Sequence, residues 1–187
     1  MKQPVRRGTA DTPTDLNLLA DPLVFISEDH LRERQICALI DGQVAAKCLE
    51  RQATLRILRF LNEELNVHIR DVAEDLFPLL AQRCTAEDAI ETAINRIRAD
   101  QNEVTDLLPD LRLSLACCLD TGSNLSAVGQ AMLARLACHV RRHLVAANAI
   151  LLPIARARLT RADLDVLSQH MRSRRGLAPV SKAVKAD

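Results

Sequence analysis

Four long stretches of the sequence repeat apolar residues at spacings of three and four, which places those residues on one face of an α-helix. This pattern constrains the fold strongly, because each apolar face must be buried against the others. The pattern is clearest at the following positions: Leu58, Leu61, Leu65, His68, Val72, Leu76 and Leu79. Short turns join the stretches and no strand-like alternation competes. The sequence therefore predicts an all-α protein, an up-down-up-down four-helix bundle.

The predicted domain boundaries follow from where the helical pattern begins and ends. The four long helices extend over about 22–50, 52–82, 85–119 and 126–158, and a short fifth helix runs from Thr160 to about Arg175. Residues 1–20 are predicted to form a flexible N-terminal arm, 21–176 the bundle and 177–187 a flexible tail.

Three prolines are predicted to disturb these helices. Proline has no N–H to donate, and its ring collides with the carbonyl four residues earlier. We therefore expect a bend or loosening at Pro78, a break or kink at Pro109, and a disturbance near the end of the fourth helix at Pro153.

Composition and charge narrow the classes of function. The chain has no Trp or Tyr and only three Phe, which disfavours sheet. With a net charge of +1, the chain has no strong positive field that would attract nucleic acid. No apolar run approaches the roughly 20 residues that a membrane span needs. Six cysteines without a C-x-x-C pair predict reduced core thiols. We therefore predict a cytoplasmic protein that binds neither nucleic acid nor membrane.

Each apolar stripe contains one polar residue: His30, His68, Gln101 and His143. Residues equally far from a turn between antiparallel helices lie at equal height, because each residue rises about 1.5 Å. His30 and His68 lie about 20 and 18 residues from the first turn, His68 and Gln101 about 16 and 17 from the second, and Gln101 and His143 each about 21 from the third. The four side chains are therefore predicted to converge at one level of the core.

Inward histidines at one level of a bundle are typical of a metal site. His30, His68 and His143 would bind one transition metal such as Fe or Zn, with Gln101 or water completing the coordination. The alternative is a metal-free bundle with a buried hydrogen-bonded cluster, serving as a structural or regulatory interaction module. No inward carboxylate pair, nucleophile–base arrangement or phosphate loop is visible, so no enzymatic activity is predicted.

Several segments resemble the bacterial hemerythrin-like, HHE cation-binding family in order and spacing. They are Asp21-Pro22-Leu23 with Glu28-Asp29-His30-Leu31-Arg32, His68 with Leu76-Phe77-Pro78-Leu79-Leu80, His143 with Leu151-Leu152-Pro153, and Met171-Arg172-Ser173-Arg174-Arg175-Gly176. The resemblance covers roughly 20–176. It implies a four-helix bundle with a non-haem di-iron site, used for oxygen or redox-linked binding and sensing.

The chain departs from this family at positions that would hold the metals. The family's second and fourth helices carry His-x-x-x-Glu, but Val72 and Ala147 occupy the glutamate positions, and Gln101 stands where a third-helix histidine is expected. Two cations close together need bridging anionic ligands to offset their repulsion, so the departures argue against an ordinary di-iron site.

Three nearby residues are candidate replacements for the missing family ligands. Asp71 lies one turn after His68, Asn148 follows Ala147, and His139 lies four residues before His143. Asp71 and Asn148 are predicted to point toward a flank of the core, and His139 to lean toward solvent beside basic neighbours.

Overall fold

The computed structural model describes residues 9–178, and it contains helices but no strand within that range. The α-helices are α1 (Pro22–Ala46), α2 (Arg51–Glu63), α3 (Leu65–Arg70), α4 (Phe77–Arg83), α5 (Ile90–Thr121), α6 (Ala127–Ala146), α7 (Leu152–Arg158) and α8 (Arg161–Arg174). π-Helical turns at Asp71–Leu76 and Ala147–Leu151 join α3 to α4 and α6 to α7, and 3₁₀ turns occur at Leu16–Ala20 and Ala86–Asp88. The predicted all-α class is confirmed.

Four rods form the bundle, and each packs against two others. Helix α1 is the first rod, α2 to α4 the second, α5 the third, and α6 with α7 the fourth. The first rod contacts the second, the second the third, the third the fourth, and the fourth returns to the first. Short connections between neighbouring rods make consecutive rods antiparallel, which is the predicted arrangement. The short helix α8 packs against α1 and the first π-helical turn.

The buried core consists of two apolar clusters at different heights. The first cluster includes Ile26, Val72, Ile97 and Ala147. The second cluster, which includes Ile36, lies on the other side of the histidines along the bundle. Along every rod, the predicted polar residue falls between members of the two clusters. The four polar residues therefore form a single layer through the middle of the bundle, at the common height predicted from the turn distances.

The prolines act in two different ways. Pro78 and Pro153 each lie in the first turn of a helix that directly follows a π-helical turn. The wider π-helical turn accommodates the carbonyl that the proline ring would otherwise meet, so the loosening predicted at Pro78 is present. Of the break or kink predicted at Pro109, the break is wrong, because α5 continues through it, and the kink stays a prediction. Buried Leu107, Leu108 and Leu111 hold α5 in place on both sides of the lost hydrogen bond.

Part of the segment predicted as a flexible arm is packed against the bundle. We call residues 9–20 the N-terminal strap. Leu19 of the strap is fully buried, and its carbonyl accepts a hydrogen bond from Ser168 Oγ of α8 at 2.6 Å. The flexible-arm prediction is therefore wrong for 9–20, because apolar residues within this polar stretch have core partners. Residues 1–8 and 179–187 lie outside the described range, whereas Leu177 packs against the core.

All six cysteines are free, as predicted, but not all belong to the core. Cys37 and Cys118 are buried, Cys84 is half-buried, and the other three are exposed. Every helix in the described part of the chain is too short or too polar to span a membrane.

Candidate metal centre

The three predicted histidines meet in the central layer. His30, His68 and His143 are each at most 2 % exposed. Their ring centroids are 5.2 Å apart for His30 and His68, 6.2 Å for His68 and His143, and 6.4 Å for His30 and His143. Gln101 is equally buried at 2 %. The predicted convergence is therefore present, while the role of these residues as ligands stays a prediction.

Glu33 is the central residue that the sequence analysis missed. Its carboxylate is 1 % exposed, with Oε1 3.2 Å from His68 Nε2 and Oε2 3.2 Å from His143 Nε2. The donor atoms of Glu33, His68 and His143 all lie within 4.8 Å of one another. The signal was available, because the stripe on α1 runs Ile26, His30, Glu33, Cys37, Ile40, Val44 at alternating spacings of four and three. A carboxylate belongs on that stripe only if the core supplies a partner.

Many of the polar side-chain atoms in this layer have no hydrogen bond. Within 9–178, no hydrogen-bond partner exists for either Glu33 carboxylate oxygen, for the Nε2 atoms of His30, His68 and His143, or for either polar atom of the Gln101 side chain. The two 3.2 Å approaches to Glu33 are close, but they are poorly aligned for hydrogen bonds. Buried polar groups are normally paired, and an unpaired one costs about 1–3 kcal/mol. These polar atoms without hydrogen bonds surround one point, which makes the layer a candidate binding site for a cation.

The distances also fit one cation. Zinc–nitrogen and zinc–oxygen bonds are about 2.0–2.1 Å, so neighbouring ligands around a tetrahedral ion lie about 3.3 Å apart. Both separations between Glu33 oxygens and histidine Nε2 atoms are 3.2 Å. Glu33 therefore lies at ligand-to-ligand distance from both histidines, and the three donor atoms, which lie within 4.8 Å of one another, could hold one transition metal.

Neighbouring charges set the protonation of this layer. Burial alone would raise the pKa of Glu33, but the opposite charges of His68 and His143 together lower it to about 2. Burial would lower the pKa of His68, but Glu33 and Asp29 together raise it to about 9. Burial and the adjacent charge of His68 lower the pKa of His30 to about 4. The layer thus contains an ionised Glu33 carboxylate and a neutral His30 imidazole, while His68 carries a proton at neutral pH that a bound cation would displace.

Asn148 fixes the orientation of His30. The Asn148 side-chain Nδ2 donates to the Leu144 carbonyl at 2.7 Å, so its Oδ1 is the atom that faces His30 Nδ1 at 3.2 Å. His30 Nδ1 must therefore donate that hydrogen bond, which leaves Nε2 of the neutral ring with its lone pair. Asn148 thus contacts a candidate ligand through its side-chain oxygen.

The other two candidate replacements have partners elsewhere. Asp71 is fully buried but forms ion pairs with Arg174 at 2.5 Å and Arg175 at 2.6 Å. His139 was predicted to lean toward solvent, but its ring is largely buried, with Nδ1 2.9 Å from Asp100 Oδ1. That prediction is wrong because Asp100, fully buried on α5, draws the imidazole inward.

The two positions without glutamate are filled by core contacts. Val72 and Ala147 are each 2 % exposed and belong to the apolar cluster beside the layer. Each lies in one of the π-helical turns. Within the described chain, the group of donor atoms close enough to share an ion belongs to Glu33, His68 and His143. Its one carboxylate therefore comes from α1 and not from the second or fourth rod.

Gln101→Leu is expected to stabilise the metal-free protein by about 1–2 kcal/mol, because it removes two unpaired polar atoms at similar volume. Chemical denaturation measures this change. Gln43→Leu is the matched control, since Gln43 is also buried but its Oε1 accepts from the Glu50 N–H at 2.7 Å. The control should destabilise. Equal destabilisation by both variants would show that Gln101 has a partner after all.

A comparison with protein families matches residues 21–155 to the hemerythrin HHE cation binding domain. No match is found among curated proteins or among solved structures. The matched range contains the first three rods, the fourth rod as far as residue 155, and every residue of the central layer. The chain therefore belongs to the hemerythrin HHE cation-binding family.

Proposed function

We propose that this protein binds one transition-metal ion through Glu33, His68 and His143, with His30 and Gln101 as the further donors in the same layer. The observation that carries the proposal is the buried Glu33 carboxylate, whose two oxygens accept no aligned hydrogen bond and lie 3.2 Å from the Nε2 atoms of His68 and His143. A cation would satisfy these atoms together and neutralise the carboxylate. The family's cation-binding character supports the same assignment.

We further propose that the bound ion serves sensing or reversible binding rather than catalysis. The candidate ligands are at most 2 % exposed, so the surrounding rods exclude any sizeable substrate. A redox-active ion such as iron would supply electron transfer or the binding of a small molecule, whereas zinc would supply a fixed charge. The protein's own residues hold the ion, fix the imidazole orientations and exclude water.

A single-ion site also accounts for Val72 and Ala147 at the two positions where glutamates are missing. With a single ion, no second cation needs to be held nearby, so bridging carboxylates from the second and fourth rods are unnecessary. Glu33 supplies the one negative charge from α1. An altered, single-ion site is therefore a consistent reading of the substituted positions.

Adding one equivalent of metal is expected to saturate the site and stabilise the fold. The test is metal analysis of untagged protein, followed by anaerobic titration with Fe(II), Zn(II) or Co(II). At a free metal concentration 100 times the Kd, the free energy of unfolding should rise by about 2.7 kcal/mol. His68→Ala should abolish the stoichiometric binding.

Other outcomes would contradict the proposal in separate ways. If no metal is retained after reconstitution, the metal-free interaction module becomes the better reading. Two ions per chain, or the absorption of an oxo-bridged di-iron centre, would show that the missing glutamates are not needed for a binuclear site.

A further inference from the structure

Asp29 connects the candidate centre to the N-terminal strap. Its Oδ2 is 3.2 Å from His68 Nδ1, and its Oδ1 accepts a hydrogen bond from Thr14 Oγ1 at 2.5 Å. A carboxylate can only accept, so His68 Nδ1 donates, and His68 Nε2 is the atom left to face Glu33. Thr14, Asp29 and His68 thus form a continuous chain from the strap to a candidate metal ligand.

The strap is held by a second buried group on α1. Arg32, 2 % exposed, donates from Nη1 to the carbonyls of Thr9 at 2.5 Å and Thr12 at 2.7 Å. With Leu19 anchored by Ser168, the strap is fixed on both sides of Thr14. Thr14 itself is only 7 % exposed. The hydroxyl is therefore presented to Asp29 by attachments that do not depend on it.

A half-open pocket of about 200 Å³ lies next to Asp29, between the strap and the bundle. Its walls include Pro13, Thr14, Leu16, Asp29, Val67 and Arg175. Because this space adjoins the carboxylate, Asp29 has somewhere to rotate and room for water if the Thr14 hydrogen bond is lost. Without the Thr14 contact, Asp29 would therefore have space to turn away from His68.

We propose that Thr14 and Asp29 are positioning residues for His68, and that the strap thereby controls how firmly the central layer holds a metal ion. The effect on metal rests on the proposed function, whereas the hydrogen-bond chain does not. Partners of the second nitrogen of a metal-binding histidine fix its orientation, and their loss typically weakens metal binding 10–100-fold. Thr14 acts one contact further away, so a smaller effect of about 3–10-fold is expected.

The test compares three variants of the full chain. Thr14→Val removes the hydroxyl at nearly constant shape, and Thr14→Ser keeps it. Thr12→Val is the matched control on the same strap, because the Thr12 hydroxyl contacts only Thr9 Oγ1 at 3.3 Å among the described contacts. Its backbone carbonyl remains available to Arg32. Circular dichroism verifies that each variant folds.

The first measurement uses metal-free protein. ¹H and ¹⁵N NMR signals of the His68 Nδ1–H group should shift and exchange faster with water in Thr14→Val. Thr14→Ser and Thr12→Val should match the unmodified protein. Identical His68 signals in Thr14→Val and Thr12→Val would overturn the positioning role.

The second measurement uses protein loaded with Zn(II). The rate of Zn(II) loss to a chelator should increase about 3–10-fold in Thr14→Val and stay unchanged in the other two variants. Unchanged loss in Thr14→Val would overturn the strap's control of the metal. If the unmodified protein takes up neither Zn(II), Fe(II) nor Co(II), the proposed function fails, and the NMR result still decides whether the strap positions His68.

Discussion

Glu33→Gln is expected to weaken metal binding by at least about 100-fold while leaving the bundle folded. Loss of residues that merely orient metal ligands already costs 10–100-fold, and Glu33 is proposed to contact the ion directly. Glutamine has almost the same shape but no negative charge, so the imidazoles would have to hold a dication without a carboxylate. Calorimetric titration with Zn(II) measures the loss of affinity, and circular dichroism follows the fold.

Asp41→Asn is the matched control for this experiment. Asp41 lies on the same helix as Glu33, and its replacement likewise removes one carboxylate. The Asp41 side chain, however, is 58 % exposed. The metal affinity of Asp41→Asn should stay within about twofold of that of the unmodified protein, because the exposed Asp41 charge is screened from the central layer. Undiminished binding by Glu33→Gln would place the ligands elsewhere in the chain and remove the main support for the single-ion centre.

Arg32→Ala is expected to lower the free energy of unfolding by about 3 kcal/mol. Arg32 Nε and Nη2 contact the two Glu64 carboxylate oxygens at 2.5 and 2.7 Å, and Nη1 holds the two strap carbonyls. Alanine would leave Glu64, which is 15 % exposed, with its charge unpaired and would release the strap. Breaking a buried ion pair from one side costs about 3–5 kcal/mol, and partial exposure of Glu64 favours the lower figure.

Urea unfolding measures this loss, and hydrogen exchange locates it. Amides of the strap should exchange faster in Arg32→Ala than amides of α5. Arg34→Ala is the matched control, since Arg34 is exposed on the same helix, and its effect should stay within about 0.5 kcal/mol. Equal stability of the two variants would mean that the Arg32 contacts contribute nothing net.

The height of the central layer could be predicted because it depends only on helix geometry. Each of the four rods rises by a constant amount per residue, so the sequence distances to the turns place His30, His68, Gln101 and His143 at one level. Pro109 shows a limit of such local reasoning. Its effect on α5 depends on how firmly the flanking leucines are packed, and that packing belongs to the assembled bundle.

The strap was hidden for a similar reason. A short, mainly polar stretch looks like a free arm unless its few apolar residues have a place in the core, as Leu19 does. The sequence contains Leu18 and Leu19 side by side, but it does not show that the core leaves room for them. Arginine is usually exposed, so the sequence gives no sign that Arg32 is buried by its contacts with the strap and with Glu64.

The sequence alone determined the helical class, the antiparallel bundle and the level at which three histidines meet, because these follow from periodicity and turn spacing. Tertiary structure decided which side chains share the centre with them. It placed Glu33 between His68 and His143, turned Asp71 toward arginines, and joined Thr14 to Asp29. The physical reason is that a side chain's partner is set by distances between helices and by burial, and neither is encoded in the spacing along one helix.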